Sequence, residues 1–180
     1  MPYAVTHILV AIILIELFRG YFIKDNKKFP RYYILIAALG GILLDLDYAL
    51  VFILYPFGFT LEQIHPTYSH ILLIPFVLFI AGVVIARLKI KNHGLGKRHM
   101  TLPAVFYILS ATTLLHILLD FIFFGKLALF YPFSIQTFGL YSILLIPEEL
   151  RATFLASLDA ILLVFWIFWL EFKVRVRDYF

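Results

Sequence analysis

The chain has 180 residues, of which 63% are hydrophobic, 18% aromatic and only 14% charged, with a formal net charge of +4. No soluble domain of this size can bury so much apolar surface, so the composition specifies an integral membrane protein and gives no basis for a nucleic-acid partner. The absence of cysteine excludes disulfides and thiolate ligands, so any metal must be held by His, Asp or Glu.

A bilayer core of about 30 Å is crossed by roughly 20 apolar residues. The N-terminal MPYAVTHILVAII lacks the basic start and small-residue cleavage site of a signal peptide and reads as the beginning of a first span, residues 3–22. Further spans are expected at 32–57, 69–88, 103–124 and 152–172. The predicted fold is therefore an all-α, polytopic transmembrane bundle of about five helices, with residues 1–180 forming a single membrane domain.

Basic residues orient the bundle. Of the 15 Lys and Arg, all but Lys126 and Arg151 lie in or beside the first loop, the third loop and the C-terminal tail. That bias puts the N-terminus outside and the C-terminus in the cytoplasm of what we expect to be a prokaryotic cell membrane. Glu16 and Arg19, three apart near the inner end of the first span, read as a structural ion pair. His93 and His99 lie among lysines on the cytoplasmic side and read as solvated bystanders.

Within this topology His7, Asp45, Asp47, His65, His70, His116 and Asp120 all fall on the outer side at compatible depth. His116 and Asp120, in the run HILLD, share one helix face a turn apart. Singly, each such residue is as readily a helix–helix hydrogen bond as a ligand. An intramembrane carboxylate nevertheless costs roughly 2.5 to 3.5 kcal/mol on the lenient insertion scale, and a cation neutralises clustered carboxylates and satisfies imidazole lone pairs together. Asp45 and Asp47 point about 200° apart on a regular helix, so one ion cannot take both without a local distortion. Gly40 and Gly41 permit close approach or bending nearby. One aspartate is expected to ligate and the other to orient a histidine or complete a second metal position. His65 and His70 bracket HPTYSH, in which Ser69 is expected to cap the helix beginning near His70. Asp159, deeper in the fifth span, reads as structural before it reads as a peripheral ligand.

Thr6-His7, the LLDLDY run at 43–48, His65 followed by Ser69-His70, and HILLD leading into LFYPFS at 129–134 together resemble the YdjM-like membrane-bound metal-dependent hydrolases. That family is similar in turn to the zinc-dependent phospholipases C. The resemblance implies a metal site built from His7, Asp45 or Asp47, His65 or His70, His116 and Asp120. Pro66 and Thr67 stand where the family usually carries Arg-Gly, which leaves the family's anion-binding arginine missing or supplied from elsewhere.

The implied chemistry is metal-assisted hydrolysis with one or two divalent ions, zinc first and manganese second. Zinc held by His and carboxylate lowers the pKa of a bound water toward about 7. Asp47 and Asp45 are the candidate catalytic carboxylates. Arg151 is the candidate phosphate clamp, because its guanidinium fits a phosphate in bidentate fashion. A site near the outer interface favours a lipid phosphoester as substrate, so membrane lipid is both environment and expected substrate. The aromatic connection 125–151 is expected to lie in the headgroup region. The alternative is a metal-ion or proton transporter using the same cluster. A membrane scaffold reading rests only on basic loops that topology already explains.

Overall fold

The structure, a computed structural model, describes residues 3–23, 29–60, 65, 68–88, 101–123, 126–140 and 146–174. His93, His99, Pro66 and Thr67 lie outside the described residues.

Among the described residues, six α-helices follow one another. They are α1 (Ala4–Phe18), α2 (Tyr33–Ile42), α3 (Asp47–Leu54), α4 (Leu73–Arg87), α5 (Leu102–Phe123) and α6 (Glu148–Val174). A π-helical turn over Arg19–Ile23 continues α1. A 3-10 turn over Leu44–Leu46 joins α2 to α3 with a bend of 52°. Gly58, with φ 87°, ends the 3-10 turn that follows α3, a conformation other residues rarely adopt. Among the described residues there is no strand, only an isolated bridge between Leu127 and Phe138.

All five expected apolar segments are helical, but they are not equivalent as spans. Ala4–Ile23, Leu102–Phe123 and Glu148–Phe172 are long and apolar enough to cross a membrane, and the bent α2–α3 pair makes a fourth if counted as one span. With 15 residues, α4 is about 22 Å long at 1.5 Å per residue, short of a full bilayer core. It starts at Leu73 and not at 69, because the chain before it turns to carry His70 inward. Ser69 consequently does not cap it, and no side chain does.

Local contacts set the helix directions. Gly41 lies against His7, and Phe18 meets Phe29, so α1 and α2 are antiparallel. The Ser110 hydroxyl donates to the Pro75 carbonyl and Tyr107 packs on Gly82, which makes α4 and α5 antiparallel. Helix α6 runs parallel to α1. The Thr6 amide and hydroxyl both donate to Asp159, and the Trp169 indole donates to Glu16 at 2.8 Å, contacts ten residues apart on each helix. Asp159 is thereby a helix pin, as its structural reading expects. Glu16 also lies 3.7 Å from Arg19, as the ion-pair reading expects.

The bundle thus has two ends. At one, Phe29, Tyr33, Ala37 and Ile108 form an apolar cluster near the basic Arg19 and Arg31. At the other, Leu44, Ile117 and Leu127 pack together beneath the connection that follows α5. That connection docks through the Leu72 amide on the Leu129 carbonyl and the Leu140 amide on the Phe121 carbonyl, while Phe133 and Ile135 stay exposed.

The glycine pair explains how three helices meet. A Cβ on Gly40 would collide with the Thr112 hydroxyl of α5, and one on Gly41 would lie 2.8 Å from the His7 carbonyl oxygen of α1. Only hydrogen at both positions lets α2 wedge between α1 and α5. The chain bends a few residues later, so the glycines serve close approach and the 3-10 turn supplies the bend.

Candidate metal centre

The second end of the bundle collects the ionisable residues. The N-terminal turn of α1 supplies His7, the α2–α3 break supplies Asp45 and Asp47, the turn before α4 supplies His65 and His70, and the last turns of α5 supply His116 and Asp120. All seven sequence-predicted ligands meet there. His7, His70, His116 and Asp120 are essentially inaccessible, whereas Asp45 keeps partial exposure.

The distances define a nucleus. Asp120 Oδ2 lies 3.0 Å from His70 Nε2 and 3.3 Å from His116 Nε2, and Asp120 Oδ1 lies 3.4 Å from His7 Nε2. Asp45 Oδ1 lies 3.4 Å from His116 Nε2 and 3.6 Å from His70 Nε2. The His7 and His116 rings stack with centroids 3.8 Å apart.

Hydrogen bonds on the far side of each ring settle the tautomers. His116 Nδ1 faces the Gly41 carbonyl oxygen at 2.7 Å; a carbonyl only accepts, so Nδ1 carries a proton and, in the neutral ring, Nε2 carries the lone pair. The Ser69 hydroxyl donates to the Asp47 carboxylate, so His70 Nδ1, 2.7 Å away, donates to Ser69 and leaves its Nε2 lone pair inward. The Nε2 atoms of His70 and His116 are 3.1 Å apart. Two neutral imidazole acceptors at that distance repel unless a proton or a metal ion lies between or beside them. Among the described residues, neither ring nitrogen of His7 nor either oxygen of Asp120 has a hydrogen-bond partner, although the ion-pair distances are short. Such groups buried without compensation cost several kcal/mol. Nitrogen and oxygen donors converging in this way fit a divalent ion, with outer partners that orient the rings as metal-bound histidines require.

Three overlapping groups have ligand atoms within reach of one ion: His7, His116 and Asp120; Asp45, His70 and His116; and Asp47, His65 and His70. The first two share His116, whose Nδ1 is committed to Gly41, so they describe one five-residue centre around the shared Nε2. The third is peripheral. Asp47 turns away to accept from His65 Nδ1 at 2.8 and 2.9 Å, and from Ser69. The 3-10 turn therefore resolves the opposition of the two aspartates by separating their roles. Asp45 joins the central group, and Asp47 orients His65 and, through Ser69, His70.

Arg151 lies at the same end and donates to the Phe123 carbonyl at 3.0 Å, near the α5 C-terminus. The Gly41 carbonyl and the Ser69 bridge are the positioning groups that sequence reasoning missed. A backbone carbonyl leaves no trace in the residue type, and Ser69 beside His70 read as a helix cap.

No curated protein and no solved structure shows a significant match to this chain. The family model described as YdjM inner membrane protein matches residues 1–176, from before His7 to beyond Asp159. The chain belongs to the YdjM inner membrane protein family.

Proposed function

We propose that this protein is a membrane-embedded, metal-dependent hydrolase that acts on a phosphoester of a lipid or amphiphile. The observation that carries the reading is the convergence of the His70 and His116 Nε2 lone pairs at 3.1 Å beside the Asp120 carboxylate, which has no hydrogen-bond partner among the described residues. His7, Asp45, His70, His116 and Asp120 would hold the ion, with zinc preferred for three imidazoles and manganese the second choice. The ion would supply Lewis acidity and a water of lowered pKa. Asp47 holds His65 through Nδ1, which makes Nε2 the basic nitrogen of that ring, and the His65 ring lies 4.7 Å from His70. His65 is thereby placed to take a proton at the edge of the centre, with Asp47 orienting it and stabilising the imidazolium. Arg151, held at Phe123, places a guanidinium at this end for the phosphate.

For the membrane frame, we infer five crossings with the centre toward the outer side. The alternating helix directions support this, as do Arg19, Arg31 and Arg87 at the opposite end. The short α4 then crosses with help from its flanking turns or local thinning of the bilayer. Transport is the weaker reading, because the Ser110, Thr112 and Thr113 hydroxyls below the centre are bonded to backbone carbonyls and Ile108, Tyr33, Ala37 and Phe29 follow.

Elemental analysis and phospholipid hydrolysis, run on wild type beside His116→Ala and Arg151→Lys, test the proposal. Wild type should hold a stoichiometric divalent ion, His116→Ala should lose metal and activity together, and Arg151→Lys should keep the metal with a raised KM. Active protein without bound metal would end the reading.

A further inference from the structure

The flank of the bundle between α1 and α5 carries two adjoining hollows. One, of about 180 Å³, is bordered by Ala11, Leu14 and Leu118, and the other, of about 370 Å³, by Phe18, Phe29 and Ala104. Ile15 and Ala111 border both, so the two form one groove. Three alanines, Ala11, Ala104 and Ala111, leave the space that larger side chains would fill. Its length along α5, from 104 to 118, is about 21 Å at 1.5 Å per residue, more than the roughly 15 Å of one leaflet's hydrocarbon.

Both the position and the chemistry of the groove restrict its occupant. Leu14, Phe18 and Leu118 are about half exposed on the membrane-facing flank, so the groove opens sideways to the bilayer. Among the described residues that border it, Thr112 already donates its hydroxyl to the Ile108 carbonyl and the one other hydroxyl, that of Tyr107, is nine residues from His116 on α5, so the lining beside the centre is apolar and suits a hydrocarbon chain. On α1, His7, Ala11, Leu14 and Phe18 follow one another at helical spacing and form a single stripe. The metal-centre histidine heads that stripe and stacks on His116 above the groove.

We propose that this groove holds the acyl chain of the substrate lipid while its phosphoester head lies at the centre, a proposal that rests on the hydrolase reading above. The groove thereby selects a long-chain amphiphile over a water-soluble phosphoester, and entry is lateral from the leaflet.

Ala111→Phe fills the groove where the two hollows join, and Ala111→Leu does so more mildly. In proteoliposomes, Ala111→Phe should raise KM for a long-chain phospholipid by about tenfold, as expected for two displaced methylenes. Metal content and turnover of p-nitrophenyl phosphate should stay at wild-type levels, and Ala111→Leu should fall between. Independently of turnover, a phospholipid with a photoreactive chain terminus should label the groove segments of α1 and α5, and Ala111→Phe should suppress that labelling. Equal kinetics on both substrates, or label spread evenly over α1 and α6, would overturn the groove and leave the hydrolase standing. If metal-loaded wild type cleaves neither phosphoester, the hydrolase reading fails and the labelling alone decides whether the groove holds a chain.

Discussion

Replacing Gly41 by alanine tests whether helix contact or local chemistry positions the metal ligands. A Cβ at this position would lie 2.8 Å from the His7 carbonyl oxygen and 3.1 Å from the Ala11 Cβ. Neither neighbour is the end of a flexible side chain, so relief requires α1 and α2 to separate by several tenths of an ångström. Alanine gains about 1 kcal/mol in helix propensity, whereas overpacking of this kind costs about 1 to 3 kcal/mol, so the net effect on stability is zero to about 2 kcal/mol of loss. The larger effect is expected on the proposed metal site. The same residue carries the carbonyl that receives His116 Nδ1–H at 2.7 Å, and His7 sits on the helix that must move. Loss of an orienting partner typically weakens metal affinity about 10- to 100-fold. Chelator competition on purified protein should show that loss, together with a modest fall in Tm. Gly82→Ala is the control: its Cβ would meet the Tyr107 ring at 2.8 Å, away from the centre, so it should lower Tm and leave metal affinity unchanged. Wild-type affinity in Gly41→Ala, within about twofold, would show that the α1–α2 contact does not position the ligands.

Two further outcomes are expected. Ser69→Ala removes the hydroxyl that bridges Asp47 and His70, and should weaken metal binding about 10-fold or more while leaving helix content unchanged; an unaltered chelator titration would assign Ser69 no positioning role. Single cysteines at Gln136 and Thr101, in a chain that has none, should report orientation, with an impermeant thiol reagent labelling 136 and not 101 in intact cells; the reverse pattern would invert the protein.

Much of the architecture was legible in the residues because a bilayer admits few solutions. Backbone groups without water must be bonded within each segment, so long apolar runs become helices in the order in which they stand in the chain. Costly polar groups in such runs stand out, which is why the seven residues that meet at one end of the bundle were visible, and the regular period paired His116 with Asp120 in advance. The family resemblance added the order of the motifs. Where the reading fell short, helical period was the wrong guide. It extended the third span back over a turn that carries His70 inward, and it set Asp45 against Asp47 where a 3-10 turn re-aims them.

The sequence by itself determined a helical membrane protein with seven of its His and Asp residues gathered toward one end, since hydropathy and basic-residue bias act residue by residue. Only the tertiary structure decided the division of labour among them. Asp45 and Asp47 are chemically identical and two positions apart, yet one faces His116 at 3.4 Å and the other holds His65 at 2.8 Å. That choice, like the tautomer that the Gly41 carbonyl imposes on His116, depends on which helices meet and how closely. Such contacts are made between segments far apart in the chain, so no local pattern of side chains encodes them.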